Sequence, residues 1–293
     1  MARKMDKDKQ QPEVTVLLPA YNEELAIGQT IGTLKERFPD FEILVIDDGS
    51  TDNTLETAMA AGANVWPHPY NMGNGAAIKS GLRCASGKWV LMMDADGQHN
   101  PADIEKLLEY RDRYDMIVGA RNMKGQASLH RGLANYLYNK IASYVTKFQI
   151  EDLTSGFRLV KKETVTTFIY LLPNTFSYPT TLTMAYLRSG LGVKYVPIQA
   201  KNRQGKSKIK LMQDGARFLL IITKIATLFS PLRVFLPVSV FFFLTGLSYY
   251  LYTFITVHRF SNMSALLLST SVIIFMIGLV SEQITQIHYA RTK

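Results

Sequence analysis

The sequence predicts an α/β domain with a mostly parallel sheet, followed by a two-helix membrane hairpin. Two observations predict this architecture. Short apolar runs alternate with helical segments through the first two thirds of the chain, and residues 218–287 are almost entirely apolar. Strands and helices that alternate in this way are typical of a parallel sheet covered on both faces. An uncharged run of about 20 residues is long enough to cross a bilayer as a helix.

The predicted strands and helices follow one another from a polar tail, residues 1–12, into a domain assigned to residues 13–210. Apolar runs that stop at turn or acidic residues predict the strands 14–18, 42–47, one from 65, 88–94 and 115–119. Helical segments are predicted between them, at residues 23–37, 51–61, 75–85 and 101–113, with Ser50 or Thr51 as the cap of the second helix. Residues 124–150 carry apolar residues near helical spacing.

Two uncharged runs predict the membrane hairpin, residues 232–288. Val234–Val257 contains no Asp, Glu, Lys, Arg or His, and a second run extends from Ala265 to about Ile287 with one acid, Glu282. The segment before them, residues 211–231, mixes apolar and charged residues, which is typical of helices at a membrane surface. Basic residues outnumber acids seven to one between Lys194 and Arg217. This bias predicts that the first domain is cytoplasmic, with both termini on the same side.

The composition narrows the class of protein. The 293 residues are 47% hydrophobic and 19% charged, which excludes a disordered chain and a collagen-like chain. The single cysteine, Cys84, cannot form an internal disulfide, so nothing indicates an oxidising compartment. The net charge of +9 allows nucleic-acid binding in principle, but the basic excess lies beside the spans. A membrane partner therefore explains the charge better, and no nucleic-acid partner is expected.

Acidic residues follow two of the predicted strands. One strand gives way to Asp47–Asp52, and another runs into Asp94–His99. Ligands of parallel sheets bind beyond the carboxyl ends of the strands, so both clusters are expected at one rim. Asp94 and Asp96 lie two residues apart, and an extended segment would point both to the same side. Oxygen ligands with open positions suit Mg²⁺ or Mn²⁺. Solvated turns rich in Asp are the alternative explanation.

Several motifs occur in the order found in one enzyme family. They are Pro19–Glu23, Asp47–Asp52, Asn71–Gly75, Asp94–Gln98, Gly119–Arg121 and Asp152–Arg158. Together they resemble the signatures of family 2 glycosyltransferases with the GT-A fold, over about residues 14–210. The subgroup that looks most similar contains the dolichyl-phosphate mannose synthases and the bacterial polyprenyl-phosphate glycosyltransferases. The resemblance implies metal-dependent, inverting transfer of a hexose from a nucleotide-diphosphate sugar to polyprenyl phosphate.

The resemblance also implies roles for residues on the donor side. A nucleotide pocket would be lined by Pro19, Ala20, Tyr21 and Glu23, with Asp48 near the base or ribose. The metal would be held by Asp94, Asp96 and Gln98, and Lys79 would approach phosphate beside Gly73. Arg121 would face the diphosphate or the sugar, because its fixed fork of donors suits an anion. His99 is expected to be a structural histidine. The expected catalytic residues are Asp96, Arg121 and Asp152.

The acceptor side is expected to use basic residues near the membrane. Arg131 is a candidate for the lipid phosphate, although a surface position explains it equally well. Ser155 is a further candidate, and the loop Arg203–Lys208 offers Arg203, Lys206, Ser207 and Lys208. Anionic headgroups alone would attract such a loop, at about 1 kcal/mol per basic residue. A nonspecific membrane anchor is therefore the alternative for this loop.

Asp152 has two alternative roles, because related enzymes that glycosylate hydroxyl groups often place a base at this point of the motif. Its carboxylate could be that base, or it could orient Arg158 or the acceptor loop. Two other functions stay open, transfer to a glycan or lipid hydroxyl and nucleotide-sugar binding without turnover. The predicted partners are a nucleotide-diphosphate sugar, a polyprenyl phosphate and the membrane. Association of protomers around the lipid is an additional hypothesis.

Overall fold

The computed structural model describes residues 12–121, 129–175, 177–198, 227 and 230–290, without the side chains of 129–135, 137, 145 and 288–290. The chain forms two compact units. The first contains residues 1–140 and 149–208, and the second contains residues 141–148 and 209–293. The predicted tail at 1–12, apart from Pro12, and the predicted surface helices at 211–231, apart from Thr227 and residues 230–231, lie outside the described residues.

Within the described part of the chain, seven strands and seven α-helices build the first unit, with one helix, α5, running into the second. The strands are β1 (Val14–Ala20), β2 (Glu42–Asp47), β3 (Asn64–Pro67), β4 (Trp89–Met92), β5 (Met116–Arg121), β6 (Arg158–Lys161) and β7 (Val193–Ile198). The helices are α1 (Glu24–Arg37), α2 (Thr54–Ala60), α3 (Asn74–Cys84), α4 (Asp103–Leu108), α5 (Leu129–Thr146), α6 (Lys162–Thr166) and α7 (Tyr178–Arg188).

The strands form one sheet in the order β3-β2-β1-β4-β6-β5-β7. All neighbours pair in parallel except β6, which is antiparallel to both β4 and β5. Its first residue, Arg158, pairs with Met92 at the carboxyl end of β4. Because β6 runs in reverse, the residues that precede it lie at the same rim as the carboxyl ends of the parallel strands. Asp152–Phe157 are therefore brought beside Asp94.

Alternation along β1 gives the sheet two buried faces. Val16 and Leu18 pack in one apolar cluster with residues of α1 and α4, such as Ile31 and Ile104. Leu17 points to the opposite face, where Gly81 of α3 lies directly against it. Neighbouring side chains of a strand point to opposite faces, so a strand buried on both sides is apolar throughout. The predicted mostly parallel sheet with two covered faces is confirmed.

The structure differs from the sequence prediction in several elements. The strands β6 and β7 and the helices α6 and α7 were not predicted. The helix α4 ends at Leu108 rather than near residue 113. The helix α2 begins at Thr54 rather than Thr51, because residues 51–53 form a turn that bonds to the side chains of Asn22 and Glu24.

The second unit contains two long antiparallel helices, α8 (Pro231–Val257) and α9 (Asn262–Ala290). Both are long and apolar enough to cross a membrane, α9 over Asn262–Ile287. Many of their large apolar side chains are exposed, including Phe241, Ile255 and Ile284. Exposure of this kind suits a lipid environment and not the core of a soluble domain. The predicted helical hairpin is confirmed, with α8 beginning three residues before Val234.

Small residues hold the two hairpin helices together. The Ser239 hydroxyl donates to the carbonyl oxygen of Ser271 at 2.9 Å, and the Ser271 hydroxyl donates to the carbonyl oxygen of Ser239 at 3.0 Å. Gly246 of α8 faces Leu267 and Leu268 of α9, and Gly278 of α9 faces Phe235 of α8. Small residues allow close approach of membrane helices, and serine hydroxyls then bond across the interface.

Candidate functional site

The carboxyl ends of β1 and β2 are joined by side chains of the turns that follow them. The Asn22 amide oxygen accepts a hydrogen bond from the Thr51 backbone N–H at 2.8 Å, and the Asn22 N–H donates to Ser50 Oγ at 3.0 Å. The Glu23 N–H donates to Thr54 Oγ1 at 2.8 Å. These bonds cross from one strand end to the other and fix the shape of the rim.

The four residues predicted to line a nucleotide pocket do not share one environment. Pro19 and Ala20 are the last two residues of β1 and are buried. Tyr21 is 36% exposed and Glu23 is partly exposed. Of these four, Tyr21 and Glu23 therefore present side chains at the surface of the rim, and Pro19 and Ala20 contribute backbone.

Asp48 is buried, which does not fit an open side-chain contact with a nucleotide. Its Oδ1 accepts a hydrogen bond from the Met72 N–H at 2.9 Å and lies 2.7 Å from His68 Nδ1, and its Oδ2 accepts from the Gly73 N–H at 2.8 Å. The other ring nitrogen of His68 lies 2.9 Å from Ser80 Oγ. Asp48 therefore holds the glycine-containing loop after β3, and its predicted place near the base or ribose stays a prediction.

The loop at the start of α3 is covered by a neighbouring segment, residues 173–175. Gly73 has a φ of 101°, and a Cβ there would collide with the Asn174 carbonyl oxygen. The Asn174 side-chain oxygen accepts a hydrogen bond from Lys79 Nζ. Burial followed by the charge of Arg83 lowers the pKa of Lys79. Lys79 therefore contacts the segment that covers the loop, and its approach to phosphate stays a prediction.

The second acidic cluster follows β4. Asp94 has a side chain that is 43% exposed, and its Oδ2 lies 3.7 Å from Nε2 of the buried His99. Asp96 and Gln98 are partly exposed, and Asp96 Oδ1 accepts the Gln98 N–H at 3.1 Å. His99 stacks on Phe157 with ring centroids 4.9 Å apart. This stacking fits the predicted structural role of His99.

Arg121 and Asp152 form a two-point ion pair across the rim. Arg121 Nε donates to Asp152 Oδ2 at 2.8 Å, and Nη2 donates to Oδ1 at 3.0 Å. Burial alone would lower the pKa of Arg121, but the hydrogen bond and charge of Asp152, with the charge of Asp94, raise it. Burial alone would raise the pKa of Asp152, but the hydrogen bonds and charge of Arg121 outweigh burial and lower it. Asp152 is therefore an ionised partner of Arg121.

The turn after Asp152 is bonded to the sheet by buried side chains. Ser155 is 1% exposed, and its hydroxyl donates to the Gly119 carbonyl oxygen at 2.6 Å. That burial does not fit the predicted contact of Ser155 with an acceptor. The fully buried Arg158 donates to the carbonyl oxygens of Ser155 at 2.6 Å and Leu153 at 3.1 Å. Asp152 therefore orients Arg121 rather than Arg158, which instead shapes the turn.

The same turn lies against the second acidic cluster. A Cβ added to Gly156 would lie 3.3 Å from Asp94 Oδ2 and 3.2 Å from Tyr178 Oη. Burial, together with the charge of Asp94, raises the pKa of Tyr178 far above its ordinary value. Tyr178 is therefore a neutral hydroxyl beside Asp94.

The structure locates the predicted acceptor residues only in part. Arg131 lies in the third position of α5, and its side chain is outside the described residues. The predicted loop residues are also outside them, namely Arg203, Lys206, Ser207 and Lys208. Their roles stay predictions.

Sequence reasoning missed four residues that shape the rim, and these are His68, Asn139, Asn174 and Tyr178. Each acts on a motif that is distant along the chain, from 12 residues for Asn139 to 95 residues for Asn174, so spacing gives no signal for them. For His68, its place directly after β3 was the one available indication, since polar residues at strand ends meet at one rim.

The donors after β4 fit a hard divalent cation. Asp94 and Asp96 supply carboxylate oxygens that are partly exposed, and Gln98 supplies an amide oxygen. Two acids with room for water and phosphate oxygens are typical of Mg²⁺ or Mn²⁺ bound with a nucleotide. Among the described residues there is no cluster of three or more His, Cys, Asp or Glu side chains that could bind a metal. A cation here would therefore depend on the ligand to complete its coordination.

Comparisons with known proteins agree with this geometry. The model of glycosyl transferase family 2 matches residues 15–167, and the model of the GtrB C-terminal hairpin matches residues 230–287. Glycosyltransferase AglJ of Haloferax volcanii is 28% identical over 295 residues, which cover 96% of each chain.

Two further proteins are similar to parts of this chain. The undecaprenyl-phosphate 4-deoxy-4-formamido-L-arabinose transferase of Photorhabdus laumondii is 28% identical over 57% of this chain and 58% of its own length. Glucosyl-3-phosphoglycerate synthase from Mycobacterium tuberculosis, solved with Mn²⁺ and UDP-glucose, superposes with a TM-score of 0.61 and 20% identity. The superposition covers 73% of this chain and 79% of that chain, and it shows that the two proteins have the same fold.

Proposed function

Because the chain belongs to glycosyl transferase family 2, we propose that it transfers a hexose from a nucleotide-diphosphate sugar to a polyprenyl phosphate, with inversion. The fold is the GT-A fold predicted from the motifs, and the chain is a glycosyltransferase. Beyond the fold and the enzyme class, the proposal specifies the donor, the acceptor, the metal and the side of the membrane on which transfer occurs.

The hairpin supports a lipid acceptor. One chain combines the transferase domain with a GtrB C-terminal hairpin, whose two helices are long enough to cross a bilayer. A relative that matches over part of its length is described as an undecaprenyl-phosphate sugar transferase. An enzyme anchored by such a hairpin meets an acceptor that is itself confined to the membrane.

On the donor side, Asp94, Asp96 and Gln98 would hold Mg²⁺ or Mn²⁺. When bound, the cation would neutralise charge on the departing diphosphate. Arg121 carries a fixed positive charge in the same rim and would stabilise the same developing charge. Tyr21 and Glu23 would contact the nucleotide at the surface of the rim. Asp48 would act indirectly, by holding the loop at Met72 and Gly73 in place.

The ion pair between Arg121 and Asp152 is the observation that carries the choice of a phosphate acceptor. Asp152 has both oxygens bonded to Arg121 and is a weak proton acceptor. A sugar hydroxyl needs a base to take its proton, whereas a phosphate is already ionised near neutral pH, with a second pKa of about 6. A rim without a free base at this point therefore favours phosphate over a hydroxyl.

The membrane face and the basic loop complete the proposal. The positive-inside bias supports a cytoplasmic domain, with both termini on that side of the membrane. Arg131 and the loop residues Arg203, Lys206, Ser207 and Lys208 would bind the lipid phosphate. Protomers would associate through the hairpin.

A direct assay tests the proposal. The purified full chain in detergent or nanodiscs is incubated with Mn²⁺, labelled GDP-mannose, UDP-glucose or UDP-N-acetylglucosamine, and undecaprenyl or dolichyl phosphate. We expect a glycolipid that extracts into organic solvent with at least one donor, and its loss in Asp96→Ala. Asp112→Ala, at an exposed residue, is the matched control and should retain full activity. Product formed only on a hydroxyl acceptor, or no product with any common donor, would contradict it.

A further inference from the structure

Asn139 lies in the middle of α5, and its amide bonds to the backbone on both sides of Asp152. Its Nδ2 donates to the Glu151 carbonyl oxygen at 2.7 Å, and its Oδ1 accepts the Leu153 N–H at 3.1 Å. An amide side chain can donate and accept at once in this way. Aspartate at this position would lose the bond to Glu151, and alanine would lose both.

The residue held between these two bonds is the partner of Arg121. Asp152 is 6% exposed, and two carboxylate–guanidinium bonds connect it to Arg121. A third bond runs from the Arg121 backbone N–H to Asp152 Oδ2 at 3.2 Å. The direction of the Arg121 guanidinium is therefore determined by where the backbone of residues 151–153 lies. A displacement of a charged group by about 1 Å can cost about 10²-fold in rate.

We infer that Asn139 is a positioning residue for the transfer reaction, acting on Arg121 through Asp152. The inference rests on the proposed function for its kinetic consequence, but the contact itself does not. The same helix carries Arg131 eight residues earlier, about 12 Å along its axis. The helix α5 therefore connects the predicted ligand of the acceptor phosphate to Arg121, which is proposed to face the donor.

The neighbouring residue provides a matched control. Tyr138 is buried, and its hydroxyl lies 2.8 Å from Thr180 Oγ1 of α7. Tyr138→Phe removes a hydrogen bond that joins the same helix to α7, one residue away from Asn139. A loss of activity caused by loosening α5 as a whole would appear in both variants, whereas the inferred role appears only at Asn139.

A double-mutant cycle tests the route through Arg121. In the full chain, we expect Asn139→Ala to lower kcat at least about tenfold with the donor KM changed less than about twofold. Tyr138→Phe should keep kcat within about twofold. Added to Arg121→Ala, the Asn139→Ala change should have no further effect, because two residues that act as one unit are not additive. An equal loss in both backgrounds would overturn the inference.

Hydrogen exchange tests the contact without any activity. Asn139→Ala and Asn139→Asp should speed amide exchange in residues 151–155 and leave residues 177–188 at the wild-type rate. Tyr138→Phe should have the opposite pattern. Unchanged exchange at 151–155 in both Asn139 variants would overturn the inference, whatever the substrate is. If the wild-type chain forms no product, only the proposed function is refuted. The exchange experiment then still decides whether Asn139 holds residues 151–153.

Discussion

Arg121 and Asp152 meet in a two-point ion pair that joins the end of β5 to the turn before β6. The two bonds measure 2.8 and 3.0 Å, and both carboxylate oxygens are used. Thr154 adds a hydroxyl that accepts from Arg121 Nη2 at 2.7 Å. The pair places a permanent cation near Asp94 and leaves Asp152 no free oxygen with which to act alone as a base.

The first prediction concerns the shape of the Arg121 side chain. Arg121→Lys keeps the charge but cannot reproduce the two parallel bonds of the planar guanidinium to Asp152, so we expect kcat to fall by about 10²-fold. Initial rates of glycolipid formation measure it. Arg37→Lys is the control, because Arg37 pairs with Glu105 on an exposed surface. A wild-type kcat in the Arg121→Lys variant would show that the fork geometry is not used.

The second prediction concerns stability and pH. The pKa of Asp152 is below its ordinary value of about 3.9, so the unfolded chain takes up a proton at higher pH than the folded chain. The stabilisation from the ion pair is therefore complete above about pH 4 and is lost as the pH falls through the lower folded value.

Asp152→Asn should accordingly cost about 2–3 kcal/mol near neutral pH. This is less than for a fully buried pair, because the Arg121 side chain is 32% exposed. The difference in thermal midpoint between wild type and variant should shrink below about pH 4. Asp112→Asn, at an exposed site, is the control and should change the thermal midpoint only slightly. A gap for Asp152→Asn that widens in acid would contradict the assignment.

The third prediction concerns the loop at the start of α3. Gly73→Ala places a methyl group against the Asn174 carbonyl oxygen and strains a backbone with φ of 101°. Gly190→Ala meets nothing within 4 Å at a φ of 74°, so it isolates the backbone strain of about 1 kcal/mol. We expect Gly73→Ala to cost more than Gly190→Ala in thermal unfolding and to raise the donor KM. Equal costs with unchanged KM would argue against a donor role for this loop.

The fourth prediction concerns the cation. Chelation with EDTA should abolish product formation, and Mn²⁺ or Mg²⁺ should restore it, because two carboxylates and an amide oxygen leave the diphosphate to complete the coordination. Asp94→Asn should raise the Mn²⁺ concentration needed for half-maximal rate by about tenfold or more. Asp40→Asn, exposed and far along the chain from the second acidic cluster, should not change it. Full activity in EDTA would exclude the metal role.

The fifth prediction concerns the hairpin. Ser239→Ala and Ser271→Ala each remove one of two reciprocal bonds, and we expect about 0.6 kcal/mol for each. Gly278→Val should cost more, because even a Cβ would lie 2.8 Å from Cβ of Phe235. Thermal unfolding in detergent measures both effects. A larger loss for the serine variants than for Gly278→Val would mean that hydrogen bonds, and not close packing, hold the helices.

The sequence predicted the parts of the fold that rest on local pattern. The strands β1, β2 and β4 are mostly apolar because both of their faces are buried, and the two acidic clusters begin at the ends of β2 and β4. The two hairpin helices are equally clear from their lack of charge. The strand β6 was missed because it has four residues and begins with Arg158, a charged residue that burial would ordinarily exclude.

The rim was predicted less completely, because its contacts join distant residues. Asp48 was expected to face a nucleotide, but His68, twenty residues later, and the loop after it surround the carboxylate. For Asp152, the motif allowed a base or an orienting group, and the partner proved to be Arg121 instead of Arg158. No local pattern reports which of two arginines a carboxylate will bond. The metal, donor and acceptor roles stay predictions.

The reversed strand β6 has a consequence for the order in which the enzyme can assemble. It lies between β4 and β5, so these two strands cannot be connected in one sheet until residues 158–161 have been synthesised. A nascent chain that ends before Arg158 exposes β4 as an open edge, and open edges pair with other chains. The sheet that carries both acidic clusters is therefore continuous only after residues 158–161 have been added to the chain.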